Sequence, residues 1–239
     1  EMEQRKLALG SREALADIAI VDPALVLNLP PQITADTGMD ALAHAVEGYT
    51  SAWHNDFCDG LCLQAIRLIF DYLPRAYARG SEDPEAREKM HNAACIAGIG
   101  FINSMCALAH ACAHSLGGVF HVPHGRAVGL FLPYTIEFIG DAREELWAEI
   151  AYAIKRDIPQ GQKAAPILAQ AIRELARSVG EPLSIKEAGI AQDDFNNSLA
   201  KLVDNAMMDF QLVTTARAPN AEETEKFLRY AYEGKSIDF

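Results

Sequence analysis

The sequence predicts an all-α protein, a helical bundle of roughly eight helices with a short extended lead-in. Three observations carry this reading. From Thr34 onward, apolar residues recur at helical rather than alternating spacing. Strand-like material is confined to Ile18–Val21 and Leu25–Leu29, and Asp22-Pro23 and Pro30-Pro31 stop both runs. Strands and helices do not alternate, and no G-x-G-x-x-G follows a strand. The nearest approach, Gly98-Ile99-Gly100, lacks a third glycine and lies inside an apolar helical run, where it reads as a packing feature.

The elements follow in order. Residues 1–16 are polar and suit a ragged helix or an extended linker, so residues 1–30 read as a lead-in and 31–239 as one helical domain. Asp36 and Thr37 are candidate N-caps, with Thr37 to Asp40 in capping-box register, for a helix running to about Trp53. The next helix spans about Phe57 to Ala78, and Pro74 is expected to kink it or end its regular part. Gly80-Ser81 makes a stop and Asp83-Pro84 a start. From Ala93 to Ala113 the chain is nearly all apolar, which requires a buried central helix or helix pair. Within it Gly98 and Gly100 are places for a second backbone to come close. Gly117-Gly118 is read as the end of that element. Further helices are expected at Arg126–Phe138, interrupted by Pro133, and at Ala142–Arg156, Gln162–Val179, Gln192–Met208 and Ala221–Tyr232. Pro166 fits only the first turn of its helix, and Glu181–Ile190 reads as a connection.

The chain has 239 residues, half of them hydrophobic, and a formal net charge of −12. That is enough apolar material for a full core. Lysines and arginines do not cluster, which argues against a nucleic-acid partner. No apolar run reaches membrane-spanning length, and no signal peptide is evident. The five cysteines, Cys58, Cys62, Cys95, Cys106 and Cys112, all fall in apolar helical patterns. They read as reduced core thiols in a cytoplasmic protein, although Cys58 and Cys62 share a helix face that a metal could bridge.

Chemistry concentrates in two stretches. Four of the seven histidines, His110, His114, His121 and His124, fall between Leu108 and Gly125. Upstream, Asp40 and His44 stand one helical turn apart and project from one face. One carboxylate with three imidazoles suits a divalent cation such as Fe²⁺ or Zn²⁺. Such binding should weaken as pH falls through the histidine range. Spacing leaves open which of His110 and His114 ligates, and likewise which of His121 and His124. Taken alone, Asp40 reads more readily as a helix-start acid and His44 as a core histidine, and it is the pair with the four clustered histidines that points to a metal. Glu47, the one acid seen nearby, reads as a partner for a ligand histidine.

The blocks DPALVLNLPPQITADTGMDALAHAVEGYTS and HACAHSLGGVFHVPHGRAVGLFLPY resemble the helical C-terminal half of the iron-containing alcohol dehydrogenases, whose fold is that of dehydroquinate synthase. The closing ARAPNAEETEKFLRYAYEGKSIDF resembles that family's usual carboxyl end, so the likeness runs from about Ala19 onward. The resemblance implies metal ligands at Asp40, His44, His110 and His124. It implies that His114, a non-ligand, faces nicotinamide and substrate as catalytic and cofactor-binding residue, and it gives His121 no required role. It further implies an NAD or NADP cofactor, an alcohol or aldehyde substrate whose oxygen the metal polarises for hydride transfer, and a homo-oligomer. The family's N-terminal nucleotide-binding domain is not recognisable in this sequence, so the chain alone is expected to have little activity. Phe101, Leu108 and Phe120 suggest a small aliphatic substrate, although residues of this kind are more often simple core than pocket. Two other readings of the metal are a hydrolase using metal-bound water and a non-catalytic staple for the fold.

Overall fold

In the computed structural model, which describes residues 4–7, 13 and 16–239, nine α-helices and several 3-10 turns make up the described chain, with no strand among the described residues. The expectation for residues 1–16 falls largely outside the described residues. Ile18–Val21 forms no strand, and Ile18 and Ile20 are open to solvent. The run expected at Leu25–Leu29 is not a strand. Asp22 caps a 3-10 turn over Pro23–Val26 through a hydrogen bond from Ala24 N, which is 2.9 Å away.

Helix α1 spans Pro31–Thr50 and begins earlier than the capping residues suggested. Pro30-Pro31, read as a stop, is the start, because proline at the first helical position gives up an N–H that has no intrahelical partner there. Asp36 and Thr37 are interior, and Thr37 Oγ1 donates back to the Ile33 carbonyl at 2.7 Å. Helix α2 spans Asp56–Arg79, capped by Asn55, and continues through Pro74 to Gly80, whose φ of 57° ends it. Helix α3 spans Pro84–Phe101, capped by Asp83. The apolar stretch Ala93–Ala113 is therefore a helix pair, broken at residues 102–107 before helix α4 at Leu108–Phe120. Gly117-Gly118 does not end α4. The helix runs three residues past Gly117 and stops at His121, in the left-handed region at φ 58°. The glycines serve another purpose, since a Cβ on Gly118 would lie 2.7 Å from the Gln4 carbonyl of the lead-in.

Helices α5 (His124–Ile139), α6 (Glu144–Ala153), α7 (Ala164–Ser178), α8 (Gln192–Met207) and α9 (Ala221–Glu233) complete the bundle. Pro133 lies inside α5 without ending it, and Pro166 falls in the first turn of α7 as expected. Helix α1 is central and packs on α2, α3 and α5, while α4 bridges α5 and α8. Close approach depends on small residues: a Cβ on Gly100 would meet Cys62 Sγ at 2.7 Å, whereas Gly98 faces open space. The core includes Trp147, Tyr134, Phe131, Phe138, Phe195 and Phe227, all fully buried. No described helix is long and apolar enough to cross a membrane.

Candidate metal centre

Three helices converge on one group of side chains. Helix α1 supplies Asp40, His44 and Glu47, α4 supplies His110 and His114, and the first residue of α5 is His124. The α1–α5 approach is possible because of Gly125, where a Cβ would lie 2.0 Å from the Asp36 carbonyl oxygen and 3.1 Å from Asp40 Cβ. The absence of a side chain at Gly125 therefore brings His124 up to Asp40.

Asp40 Oδ1 is 3.7 Å from His110 Nε2 and 3.6 Å from His124 Nε2, and Asp40 Oδ2 is 3.9 Å from His44 Nδ1. These spacings are too long for hydrogen bonds. They match the ~3–4 Å expected between donors that each sit roughly 2.0–2.2 Å from a shared cation. Asp40 Oδ1 and His110 Nε2 are also buried without any hydrogen-bond partner. An unpaired buried acceptor is costly, and a cation between the two would satisfy both. The donor set thus fits a divalent metal ion. Donors of Asp40, His110 and His124 lie within 4.8 Å of one another. His44 falls instead into an overlapping group with His110 and Cys106, and its ring stacks between Phe101 and His110 at centroid distances of 4.2 and 4.6 Å.

Burial sets the protonation. It lowers His44 to about 3 and His110 and His124 to about 4, so all three imidazoles are neutral at pH 7 with a lone pair available. Burial likewise raises Asp40, against the attraction of His110 and His124. Glu47, pushed up to about 7 by burial and held back by backbone N–H groups, accepts from Ala109 N at 2.7 Å and pairs with His110 Nδ1 at 2.5 Å. With Glu47 ionised, that contact holds the proton of His110 on Nδ1, and Nε2 faces Asp40. Glu47 therefore orients a histidine and is not a free general base, which removes the residue that the hydrolase reading required.

His114 has a carboxylate partner that spacing did not reveal. Its Nδ1 lies 2.7 Å from Asp209 Oδ2, 95 positions along the chain and just after α8. Burial works to raise the Asp209 carboxyl, but hydrogen bonds from His114 and Gln211 N–H outweigh it and hold it below the usual range. The His114 ring stacks on His124 at 5.3 Å. His121 is exposed at the end of α4 and lines a separate surface cleft with Pro123, Arg126 and Asp194. Leu108 is fully buried in the core and cannot face a substrate, while Phe101 covers His44. Cys58 and Cys62 are buried, and burial pushes Cys62 up to about 12, as for a core thiol.

A family model, "Fe-containing alcohol dehydrogenase family, C-terminal", matches residues 34–232, which contain every residue of this cluster. The chain belongs to the Fe-containing alcohol dehydrogenase family. Among the family's curated members, the NADPH-dependent butanol dehydrogenase of Clostridium saccharobutylicum is 36% identical over 98% of the chain, which covers 60% of that protein. Two solved structures of the family's fold are also similar. An alcohol dehydrogenase from Oenococcus oeni is 37% identical with a TM-score of 0.82, over 88% of this chain and 54% of the other. A sulfoacetaldehyde reductase from Bifidobacterium kashiwanohense, in complex with NAD⁺, is 32% identical with a TM-score of 0.76, over 88% of this chain and 53% of the other. The chain thus spans about half to three-fifths of these proteins' length.

Proposed function

We propose that this chain forms the metal-binding helical wall of an NAD(P)-dependent alcohol dehydrogenase or aldehyde reductase. The observation that carries the proposal is the pair of unpartnered buried acceptors, Asp40 Oδ1 and His110 Nε2, facing each other 3.7 Å apart. Asp40, His44, His110 and His124 would hold Fe²⁺ or Zn²⁺. When bound, such an ion supplies Lewis acidity that stabilises negative charge on the oxygen of an alcohol or aldehyde, while a nicotinamide cofactor takes up or gives the hydride.

The remaining steps belong to the chain's own residues. Glu47 keeps the proton of His110 on Nδ1, so that Nε2 serves as a donor to the ion. Asp209 does the same for His114, whose Nε2 is left free to take the alcohol proton and pass it to solvent. The cluster is not enclosed: the side chains of Asp40, His44 and His124 keep 22%, 22% and 35% of their exposure, against 3% for His110. An open side favours a site that admits substrate over a staple that only holds the fold. The butanol dehydrogenase likeness supports a small alcohol or aldehyde, and the relatives' names support NADPH or NAD⁺ as the cofactor. The missing face would come from a nucleotide-binding domain preceding this one.

The test is metal stoichiometry on purified apo-protein after anaerobic reconstitution with Fe²⁺. One ion per chain is expected, with loss of binding in Asp40→Ala and His110→Ala and retention in His121→Ala. Uptake unchanged by Asp40→Ala would overturn the assignment.

A further inference from the structure

Cys106 sits against the metal centre, and the assigned ligand set makes no use of it. Its Sγ and nitrogens of His44 and His110 all lie within 4.8 Å of one another, and Cys106 is 1% exposed. The short turn that carries it is held on both sides. Met105, immediately before it, has a left-handed backbone at φ 67°, a conformation that a side chain of this kind adopts only under external constraint. Met105 N donates to the Phe101 carbonyl at 2.6 Å, the Ser51 hydroxyl donates to the Ser104 carbonyl, and the Thr214 hydroxyl donates to the Cys106 carbonyl. Strain and three bonds from three different elements thus fix the thiol beside two imidazoles. A small core filler would not need such placement.

We infer that Cys106 with His44 and His110 forms an alternative cation position, selective for soft ions such as Cd²⁺, overlapping the harder position that Asp40 and His124 complete with the same two histidines. Thiolate with imidazole favours soft and borderline ions, whereas the carboxylate-bearing position suits Fe²⁺. Occupation releases the thiol proton to solvent as the sulfur–metal bond forms. The two positions cannot fill together. Glu47 occupies His110 Nδ1, so Nε2 is that ring's single free donor and serves one ion at a time. His110 Nε2, unpartnered on a side chain that is 3% exposed, is the donor that either ion would take. This inference rests on the metal-binding reading proposed above, and it makes soft ions competitors of iron through the shared histidines.

The experiment is an anaerobic titration of apo-protein with Cd²⁺ in a thiol-free reductant, following the ultraviolet thiolate-to-cadmium charge-transfer band. In the unaltered protein one equivalent should produce the band. Cys106→Ser should lose it while still taking up one Fe²⁺, and Asp40→Asn should keep it while losing Fe²⁺. Preloading with Fe²⁺ should suppress the band in proportion to occupancy. X-ray absorption on the Cd²⁺-loaded unaltered protein reads the sulfur ligand without any variant, so a Cys106→Ser chain that misfolds leaves the answer intact. The inference is overturned if cadmium binds with no sulfur neighbour, if the band survives in a folded Cys106→Ser protein, or if Fe²⁺ and Cd²⁺ bind together at full occupancy. The metal-binding reading survives the first two of these outcomes. Apo-protein that takes up neither ion overturns both.

Discussion

At the scale of single residues, the centre depends on groups that touch its donors. Glu47 is buried and accepts from both the Ala109 N–H and His110 Nδ1. Glu47→Gln keeps the shape but turns one of its two acceptor oxygens into a donor. It should leave a buried N–H unpaired, at a cost of about 1–3 kcal/mol in stability. Fe²⁺ affinity should fall roughly 10–100-fold, the usual effect of losing a ligand's orienting partner. Isothermal titration and chemical denaturation would measure the two separately. A second buried carboxyl lies outside the centre. Burial, then the neighbouring Asp36, pushes Glu181 up to about 8 against the pull of Arg126. Its folded value lies above the ordinary 4.5, so the folded chain binds the extra proton between those limits and the unfolded chain does not. The stability from Glu181 is therefore complete below pH 4.5 and is lost as pH rises to about 8. Glu181→Gln mimics the protonated form. Its stability relative to the unaltered protein should rise across that window and level off above it, as denaturant midpoints at a series of pH values would show.

At the scale of elements, glycine positions set how closely helices approach. Gly125→Ala would place a methyl group 2.0 Å from the Asp36 carbonyl oxygen, so α1 and α5 must separate. A backbone atom cannot turn aside as a side chain can. Destabilisation should reach at least the ~1–3 kcal/mol typical of overpacking, and Fe²⁺ binding should be lost because His124 moves away from Asp40. Gly60→Ala is the contrasting case. It lies in α2, with open space around its Cβ position and no left-handed φ. It should stabilise the protein by about 0.5–1 kcal/mol through helix propensity alone. Thermal melts of both variants, with metal content for the first, would check the pair. The break between α3 and α4 has similar weight. The sequence presents one apolar run from Ala93 to Ala113, and the turn inside it is what places Cys106 beside the centre while α4 carries His110.

At the scale of the whole molecule, the centre lies on an incompletely covered face, and the chain spans 53–60% of the relatives described. The isolated chain should bind Fe²⁺ at one equivalent yet reduce short-chain aldehydes with NADPH at a negligible rate. Without a rigid nicotinamide site the advantage of proximity is absent. A longer polypeptide that joins a nucleotide-binding domain to this chain should turn over. A steady-state assay of both proteins with matched metal content makes the comparison, and robust turnover by the isolated chain would contradict the assignment of the missing face.

Helical periodicity determined the all-α class, the positions of most helices and the helix faces on which Asp40, His44, His110 and His114 stand, because these follow from residues within a few turns of one another. Local chemistry misled where two uses of one residue compete. Pro30-Pro31 starts α1 rather than stopping the previous run, and Gly117-Gly118 makes room for the lead-in within α4 instead of ending it. Tertiary structure alone decided that Asp209 holds His114, that Cys106 joins the histidines, that Gly125 admits His124 to Asp40, and that Leu108 lies in the core. Each of these depends on segments brought together from distant parts of the chain, and a pattern of spacing along one helix carries no information about what packs across from it.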